Sequence, residues 1–592
     1  MTYRAPVDDI TFMMRHVAGL KQGQTDGIYA DLDDETVSAI LLEAAKFAED
    51  RLAPLNWTGD RAGAKLQDGK VTTAPGWKEA YRDWAASGWL ALPAAPEHGG
   101  QGLPILLNSA CTEIWNAANM AFALNPLLSM GAIEALTAHG SKDLQDRYLG
   151  KIIAGEWTGT MNLTEPQAGS DLAALRSKAE PVGDGTYKIT GQKIYITYGD
   201  HDLTDNIIHL FLARLPDAPA GTRGISLFLV PKILPDGSMN DVRCSGIEHK
   251  LGIHASPTCT MVFGDHGGAT GWLIGEENKG LACMFTMMNN ARLGVALQGV
   301  AIADRAYQHA LKYAQDRRQG KAPGSTAAGM SPIIEHPDVK RMLIDMRSKT
   351  AAARAICFVT AAALDRHHRE TDPDKRRLAH EEASLLTPVA KAYGTDMGID
   401  VASTGVQIHG GMGFVEETGA AQHYRDARIL AIYEGTNGIQ SIDLVLRKLP
   451  LAGGETVKAA IARYRTAAEQ VARLNDPAFG KSGQRLLDAV NSLERATDWM
   501  MKTMGASPAD AMAGATPYLR LFGVTAGGAF LAEAALAARA AMQAGEADPA
   551  HARRIRDCRF FAENSASIAA GIESAVVDGA AAVNGAYLDA AE

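Results

Sequence analysis

Apolar residues recur at helical spacing over long stretches of the chain. The pattern is strongest at 37–47, 106–149, 293–314, 339–363 and 379–408. The last of these stretches stops before Gly410, a residue type that often ends helices. The Ala-rich residues 451–592 are also helical in pattern, with Thr516 as an N-cap and Pro517 at the first helical position. The sequence therefore predicts a mainly helical protein.

A different period interrupts the helices between about 156 and 275. Alternating apolar residues predict strands at 185–190 and 193–197, joined as a hairpin by Gly191 and Gln192. Short runs rich in β-forming residues predict further strands at 207–213, 225–230 and 260–263. This middle region is predicted to be a small β domain.

The change of period divides the chain into four predicted regions. They are an N-terminal arm and helical domain (1–155), a β domain (156–278), a helical bundle (279–450) and an additional C-terminal helical domain (451–592). The predicted fold class is α+β, mainly helical.

Composition excludes several classes of function. The 592 residues are 46% hydrophobic and 21% charged, which is ordinary globular composition. With 58 basic and 68 acidic residues, the formal net charge is −10 and no long basic run is present, so no nucleic-acid partner is expected. The six cysteines are scattered without a C-x-x-C pair, so neither a disulfide framework nor a metal site is predicted.

The sequence also carries expectations about location. Asp8 and Asp9 near the start, without an apolar run, argue against a secretory signal. No stretch approaches about 18 uninterrupted apolar residues, so no transmembrane helix and no membrane partner are predicted. The scattered cysteines fit a reducing compartment. A cytoplasmic protein is the expectation.

Two segments of the predicted β domain have residues suited to binding a planar ligand. In 161–171, loop hydroxyls, an amide and glycine-supported backbone N–H groups suit the carbonyls and nitrogens of a heteroaromatic ring. In 195–197, alternation places Tyr195 and Thr197 on one strand face, where one stacks and the other donates a hydrogen bond. A plain loop turn and a cross-strand pair are the structural alternatives.

Two segments of the predicted bundle have a different chemistry. The glycines of 407–413 allow backbone amides to approach a phosphate, although their spacing matches neither a dinucleotide fingerprint nor a P-loop, and a helix C-cap is the alternative. Glu434 stands between apolar residues and Gly435, as suits a general base whose pKa is raised by desolvation. A surface glutamate in a loop is the alternative.

In this order and on this helix–strand–helix layout, the motifs resemble the acyl-CoA dehydrogenase flavoprotein family over about residues 35–450. The resemblance rests on Leu163-Thr164-Glu165-Pro166 with Gly169-Ser170-Asp171, Gln407-Ile408-His409-Gly410-Gly411 and Tyr433-Glu434-Gly435-Thr436-Asn437. Segments 289–292 and 316–320 also match, while the N-terminal arm and the C-terminal region are typical of a longer-chain subgroup.

The resemblance implies an oxidoreductase that uses non-covalently bound FAD. Such an enzyme removes a proton from Cα of an acyl-CoA and passes a hydride from Cβ to N5 of FAD, giving a trans-2-enoyl-CoA. The catalytic base is expected at Glu434, whose backbone N–H would hold the thioester oxygen together with a ribityl hydroxyl. Some relatives place their base at the position of Ala291, which cannot accept a proton. Taken over the whole chain, the sequence looks most like a member of the family that acts on a thioether acyl-CoA, and this resemblance implies such a substrate.

The resemblance also assigns binding residues. For the flavin ring and its surroundings they are Met161, Asn162, Leu163, Thr164, Ser170, Tyr195 and Thr197. For the adenine-diphosphate half of FAD bound by the neighbouring subunit they are Arg317, Gln319, Gln407, Gly410 and Gly411. Thr436 and Asn437 are expected near the FAD pyrophosphate, and the substrate-binding residues are Ser170, Asn289, Arg292 and Gly435.

Shared cofactor binding implies a homo-oligomer, at least a homodimer. An electron-transfer flavoprotein is the expected electron acceptor. Three alternatives stay open: a dehydrogenase of other short- or medium-chain acyl-CoAs, an acyl-CoA oxidase that reduces O₂, and a catalytically silent assembly factor on the same fold. The glutamate at 434 and the intact flavin loops argue against the last of these.

Overall fold

The computed structural model describes residues 3–326 and 328–585. These residues form two compact units. The first contains 3–5 and Glu43–Gly294, and the second contains Pro6–Leu42 and 295–585. Two helices, Asp34–Phe47 and Gly280–Asp316, run along the chain from one unit into the other.

Along the chain, the first unit consists of helices with a small hairpin, then a sheet, and then the start of helix Gly280–Asp316. Its α-helices are Ala53–Ala62, Trp77–Ala86, Ile105–His139, Lys142–Leu144 and Gly150–Ile153. The longest of them contains one residue with non-helical dihedral angles, Asn119 (φ −160°, ψ 91°). The Asn119 side-chain oxygen accepts a hydrogen bond from the backbone N–H of Phe122 at 3.1 Å, as an N-cap does at a helix start. The helix is therefore two helices joined at a capped kink.

Two helices are long and apolar enough to cross a membrane by length and composition, although the sequence contains no uninterrupted apolar run of that length. They are Ile105–His139 and Ala515–Gln543, with mean hydropathy of 1.3 and 1.6 over their most apolar stretches. Those stretches are 89% and 83% buried within the protein. A helix that is apolar all round is typical of a protein core as well as of a membrane span, and here burial accounts for the composition.

The described part of the first unit contains ten strands. Two of them lie between helices Ala53–Ala62 and Trp77–Ala86, and eight follow helix Gly150–Ile153. They are β1 Lys65–Gln67, β2 Lys70–Thr72, β3 Thr158–Asn162, β4 Lys178–Pro181, β5 Tyr187–Thr197, β6 Ile207–Ala213, β7 Ser226–Pro231, β8 Val242–Ile247, β9 Thr258–Phe263 and β10 Ala269–Ile274. β1 and β2 form a hairpin, and the others form one sheet in the order β3-β6-β7-β10-β5-β9-β8, with β4 paired to β5. Only β3 and β6 are parallel among the described pairs. The predicted strands at 207–213, 225–230 and 260–263 are confirmed.

The predicted hairpin at 185–197 is wrong. These residues form the single strand β5, which pairs with β4 and β10 through its first half and with β9 through its second. Gly191 is not a turn residue. A Cβ at this position would lie 2.2 Å from the Ser177 hydroxyl, so glycine lets the strand pass close to Ser177.

Strict alternation along the end of β5 is also wrong. The register shifts between Lys193 and Ile196, and both of these side chains are buried although three positions separate them. Tyr195 takes up the extra residue with a left-handed φ of 60° and is 61% exposed. This β-bulge turns the Tyr195 ring outward at the end of the strand.

The second unit is helical. Its α-helices are Val7–His16, Leu20–Thr25, Pro337–Arg369, Pro373–His409, Ala420–Ala427, Asn437–Asp443, Glu455–Arg473, Ser482–Ala506, Pro508–Ala513, Ala515–Gln543, Pro549–Phe560, Ala569–Val577 and Ala580–Asn584. The predicted helix end before Gly410 is confirmed, because Gly410 follows the last helical residue with φ 60°. The predicted start at Thr516 is wrong: the helix begins at Ala515, and Pro517 lies in a first turn whose N–H groups have no helical partner.

The residues beyond 450 pack closely on the bundle. On helix Ala515–Gln543, a Cβ on Gly523 would lie 2.5 Å from the Tyr393 ring, and one on Gly527 would lie 2.9 Å from Ala352. Small residues therefore bring this helix against Pro373–His409 and Pro337–Arg369. The buried carboxylate of Asp557 accepts hydrogen bonds from Arg347 Nε at 3.0 Å and from Arg347 Nη2 at 2.5 Å. The C-terminal helices and the bundle share one core.

Candidate active site

The two sequence segments predicted to hold a planar ligand lie side by side in the first unit. The Thr160 hydroxyl of β3 donates a hydrogen bond to the Thr197 carbonyl at 2.7 Å. Just beyond the end of β3, the Thr164 carbonyl accepts a hydrogen bond from the backbone N–H of Ile194 at 2.9 Å. The end of β5 and the segment that leaves β3 therefore form one surface.

That surface has free hydrogen-bonding groups suited to a flavin. Thr164 and Thr197 are half-buried, and within the described part of the chain their hydroxyls make no hydrogen bond that would compete with a ligand. Met161 and Leu163 are also half-buried. Asn162 differs, because its side chain is buried and its Nδ2 lies 3.1 Å from His209 Nδ1. Asn162 can therefore offer a ligand only its backbone.

The aromatic and hydroxyl groups at the rim are accessible. Tyr195 is held outward by the bulge, which leaves a ring face for stacking. Ser170 is exposed in the loop after β3, and no atom lies within 4 Å of a Cβ placed on its neighbour Gly169. Two hydroxyls, backbone groups and an aromatic ring thus fit the edge and face of an isoalloxazine ring.

A buried ion pair holds this loop in place. Lys193 Nζ lies 2.8 Å from Glu165 Oε1 and donates a hydrogen bond to the Leu163 carbonyl at 3.0 Å. Glu165 also accepts from the Ser177 hydroxyl at 2.6 Å and from the backbone N–H of Arg176 at 2.8 Å. From the sequence, Glu165 was noticed only as part of a family motif, and Lys193 was not predicted to have a role.

The charges of this pair match its contacts. Burial alone would raise the pKa of Glu165, but the Lys193 ammonium and three protein hydrogen bonds lower it to about 2. Burial lowers the pKa of Lys193 to about 8, while Glu165 opposes that change. Both groups are therefore charged near neutral pH.

Two of the predicted substrate contacts, Asn289 and Arg292, lie on helix Gly280–Asp316. Asn289 is exposed and accepts a hydrogen bond from Arg292 Nη1 at 3.4 Å, while Arg292 is mostly buried. Ala291, between them, is buried. Met284 and Met287 are buried in the core of the first unit, which gives them a packing role.

A second carboxylate near this helix was not identified from the sequence. Asn290 Nδ2 donates a hydrogen bond to Glu134 Oε1. Burial raises the pKa of Glu134 to about 7, against the lowering effect of the Asn290 hydrogen bond. Glu134 lies within an apolar helical stretch, where sequence pattern alone gives it no distinction.

In the second unit, Glu434 lies in a tight loop before helix Asn437–Asp443. Its backbone is left-handed, with φ 58°, and Gly435 follows with φ 78°. Left-handed dihedral angles cost a non-glycine residue free energy and persist only where neighbouring contacts impose them. The Thr436 side chain accepts a hydrogen bond from the Ile439 N–H at 3.2 Å and caps the helix.

Four side chains anchor the Glu434 loop. Gln440 Nε2 donates to the carbonyls of Glu434 and Gly435, each at 3.2 Å. Lys391 Nζ donates to the Gly435 carbonyl and to Asn437 Oδ1, each at 2.9 Å. The Tyr433 hydroxyl donates to the Gln298 side-chain oxygen, and the Asn437 amide donates to Asp396 Oδ1 at 2.7 Å. The side chains of Thr436 and Asn437 are thus engaged in shaping the loop.

The predicted adenine-diphosphate contacts gather at a different place in the second unit. Arg317 and Gln319 directly follow helix Gly280–Asp316, and Gln407 lies in the last turn of helix Pro373–His409. The two helix ends meet where the Tyr313 and His409 rings stack with centroids 4.4 Å apart. Arg317, Gln319, Gln407, Gly410 and Gly411 are all exposed.

Open space surrounds the glycines at this helix end. No atom lies within 4 Å of a Cβ placed on Gly410 or Gly411. The nearest residue of the Glu434 loop network along the same helix is Asp396, and Gln407 lies roughly 16 Å farther along at the usual rise per residue. The two groups of predicted FAD contacts in this unit are therefore separate in one protomer.

Family models match almost the whole chain. They are the N-terminal, middle and C-terminal domains of acyl-CoA dehydrogenase at residues 34–156, 160–266 and 278–449. A fourth model, described as acetyl-CoA dehydrogenase C-terminal like, matches 455–586.

Curated relatives match over most of their length. The chain is 47% identical to 3-methylmercaptopropionyl-CoA dehydrogenase of Ruegeria pomeroyi, over 92% of this chain and 93% of the relative. It is 35% identical to a butyryl-CoA dehydrogenase of Syntrophomonas wolfei, over 83% and 82%. It is 34% identical to the broad-specificity linear acyl-CoA dehydrogenase FadE5 of Mycobacterium tuberculosis, over 76% and 75%.

Solved structures share the fold. Caenorhabditis elegans ACDH-11 in complex with C11-CoA aligns with a TM-score of 0.77 at 19% identity, covering 97% of this chain and 95% of that one. Butyryl-CoA dehydrogenase from Megasphaera elsdenii aligns with a TM-score of 0.58 at 27% identity, covering 70% and 97%.

The helices and the sheet follow one another along the chain as in the three acyl-CoA dehydrogenase domain models, and curated dehydrogenases match over most of their length. The chain belongs to the acyl-CoA dehydrogenase family, whose members are oxidoreductases that bind FAD.

Proposed function

We propose that this acyl-CoA dehydrogenase oxidises 3-methylmercaptopropionyl-CoA to methylthioacryloyl-CoA, a step of dimethylsulfoniopropionate degradation, with Glu434 as the base. The substrate is supported by 47% identity to the Ruegeria pomeroyi enzyme over nearly the full length of both chains. The base is supported by one observation above all: the loop network fixes Glu434 in a left-handed turn that an unconstrained glutamate rarely adopts.

FAD, when bound, supplies the acceptor for the substrate β-hydride. In the first unit, Thr164, Thr197, Tyr195 and the backbone of 161–163 would hold the flavin ring, since their free hydroxyls and ring face suit it. Ser170, with Asn289 and Arg292, would contact the CoA chain.

In the second unit, Glu434 takes the α-proton onto its carboxylate. Its backbone N–H would donate to the thioester oxygen and so stabilise the charge that develops there. Gly435 leaves room for the substrate beside the base. Thr436 and Asn437 keep the loop in shape near the FAD pyrophosphate.

The assembly and its surroundings follow from the same family relationship. Arg317, Gln319, Gln407, Gly410 and Gly411 would contact the adenine-diphosphate half of the FAD of a neighbouring subunit, which makes a homodimer the minimal assembly. FAD would be bound without a covalent link, and an electron-transfer flavoprotein would accept its electrons. The six free, buried cysteines fit a cytoplasmic location.

Other short- or medium-chain acyl-CoAs remain a second candidate substrate class, favoured by the butyryl-CoA dehydrogenase and FadE5 relatives. The discriminating measurement is turnover of an acyl-CoA panel, including 3-methylmercaptopropionyl-CoA, with an artificial electron acceptor. The proposed substrate should have the highest kcat/KM. A higher value for butyryl-CoA would contradict the proposal, and rapid peroxide formation in air would indicate an oxidase.

The base is tested by Glu434→Gln, which retains size but cannot accept the α-proton. Anaerobic flavin reduction by substrate should fall by about 10²- to 10⁴-fold, while acyl-CoA still perturbs the flavin spectrum. Glu134→Gln is the matched control, because Glu134 is the other carboxylate noted near the predicted CoA helix. Reduction by Glu434→Gln within about tenfold of the wild-type rate would show that another residue takes the proton.

A further inference from the structure

The loop that carries Glu434 depends on a buried lysine for which neither the sequence motifs nor the family assignments give a role. Lys391 lies on helix Pro373–His409 and its side chain has no exposed surface. A buried ammonium is costly unless it is hydrogen-bonded and neutralised nearby. Its position therefore needs a reason in the surrounding contacts.

Those contacts converge on the residue directly after Glu434. Lys391 Nζ donates to the Gly435 carbonyl and to the Asn437 side-chain oxygen, each at 2.9 Å. Asn437 Nδ2 then donates to Asp396 Oδ1 at 2.7 Å and to the Thr395 hydroxyl at 3.0 Å. Side chains of one helix thus form hydrogen bonds with both ends of the short segment 435–437.

Neutral side chains also hold the loop. Gln440 Nε2 donates to the Glu434 and Gly435 carbonyls, and the Tyr433 hydroxyl donates to Gln298. The Gly435 carbonyl therefore accepts from both Gln440 and Lys391. A charged donor makes the stronger of two such bonds, so Lys391 is the contact best able to fix the orientation of this peptide.

We propose that Lys391 is a positioning residue for the catalytic base: its hydrogen bonds to Gly435 and Asn437 hold Glu434 and the Glu434 backbone N–H in the reactive orientation. The inference rests on the proposed role of Glu434. Lys391 touches neither substrate nor cofactor in this scheme and acts through the loop. Displacement of a reacting group by about 1 Å costs roughly 10²-fold in rate, which sets the scale of the effect.

Lys391 also contributes positive charge beside the loop. Charged groups that act on this region besides Lys391 and Glu434 include Asp396 on the same helix, Asp426 on helix Ala420–Ala427, and Arg428 and Arg520. Removal of the ammonium leaves the two carboxylates and both arginines in place. Ionisation of a nearby carboxylate then becomes less favourable, so a reaction that needs an ionised base loses rate first at low pH.

The test is Lys391→Met in the full-length, FAD-loaded protein, with Lys375→Met as the matched control. Lys375 is an exposed lysine on the same helix. For Lys391→Met we expect anaerobic flavin reduction to slow by about 10- to 100-fold with little change in KM. The acid limb of its pH profile should move upward by about half a unit to one unit. Lys375→Met should behave as wild type.

Lys391→Gln separates the hydrogen bond from the charge. It retains a donor for Gly435, so it should recover part of the rate while the shifted acid limb remains. A wild-type rate and pH profile in Lys391→Met, while Glu434→Gln is inactive, would overturn the positioning role and leave the base assignment intact. Activity of Glu434→Gln would instead overturn the proposed function. Loss of FAD in both Lys391 variants would make Lys391 a folding requirement and also overturn the proposal.

Discussion

Each unit uses a buried lysine to hold one backbone carbonyl, but the two lysines have different partners. In the first unit, Lys193 binds the Leu163 carbonyl and is neutralised by direct contact with Glu165. In the second unit, Lys391 binds the Gly435 carbonyl and the neutral Asn437 amide, which leads on to Asp396. Lys193 thus pairs with a carboxylate that belongs to the loop it holds, whereas Lys391 donates hydrogen bonds to a backbone carbonyl and a side-chain amide of the base loop.

Because the two lysines have different partners, we expect their removal to have different effects, one on stability and the other on reaction rate. A charge pair closed on itself has little influence on its surroundings, and its loss is felt mainly as a buried unpaired charge. Lys391 instead donates hydrogen bonds to two groups of the base loop itself, so its loss changes the geometry of that loop directly. The flavin loop is thus expected to fail by loss of stability, and the base loop by loss of rate.

The largest effect on stability is expected for Lys193→Met. It leaves the Glu165 carboxylate buried without its cation, which typically costs about 3–5 kcal/mol. Chemical denaturation should show that loss, and FAD content should fall with it. Full FAD content with unchanged stability would abolish the contrast between the two lysines.

The double variant Lys193→Met with Glu165→Gln sharpens the same comparison. Since neither buried group is then charged, we expect it to recover roughly half or more of the stability lost in Lys193→Met. Denaturation of the wild type, both single variants and the double variant completes the cycle. A double variant as unstable as the sum of the single changes would mean that the two residues act independently.

Acid should weaken the first unit through its histidines before it breaks the ion pair. Burial, and the nearby charge of Lys232, lower the pKa of His201 and of His209 to about 3. Between about pH 6.5 and 3 the unfolded chain binds protons that the folded chain does not, so stability falls as pH falls through this window.

For His209→Gln, the loss between pH 7 and pH 5 should be smaller than in wild type by about 2 kcal/mol. Glu165, with its pKa lowered to about 2, stays ionised throughout that range. Urea unfolding at the two pH values measures the difference. An equal acid response in wild type and variant would place the proton uptake elsewhere.

The smallest effect on stability is expected in the base loop, at Gly435→Ala. Gly435 has φ 78°, and a Cβ there would lie 2.9 Å from Gln440 Nε2. The backbone strain should cost about 1–2 kcal/mol, and flavin reduction should slow because Gln440 has to move. Gly438→Ala is the control, since its nearest neighbour is 3.7 Å away. Equal behaviour of the two variants would remove the role of the turn.

The sequence predicted the large elements well because their period is set by burial. Helix Pro373–His409 ends where Gly410 predicts, because glycine has no Cβ and adopts the positive φ at the helix end without strain. The prediction of a hairpin around Gly191 failed because glycine is found both in turns and where another part of the chain approaches a strand closely. In this chain it admits Ser177 beside a continuous strand, a long-range contact that no local pattern reports.

The candidate site divides in the same way. Glu434, Thr164 and Thr197 lie in local motifs, and the sequence identifies them directly. Lys391 lies 43 positions before Glu434 in an apolar helical stretch, where it looks like any lysine of an amphipathic helix. The pairing of Lys193 with Glu165 also requires strand β5 to meet the segment that follows β3, far away in the sequence. Residues that act by holding others are visible only once the fold is known.

Helix Pro373–His409 sets the distance between the loop that carries Glu434 and the residues predicted to contact the adenine-diphosphate half of FAD. Its residues 391–396 set the base loop, and its last turn presents Gln407 and the glycines that follow. Because each residue adds about 1.5 Å and 100° of rotation, a one-residue deletion between these points would swing one set of groups around the helix relative to the other. We therefore expect this interval of the helix to tolerate a change of side chain better than a change of length.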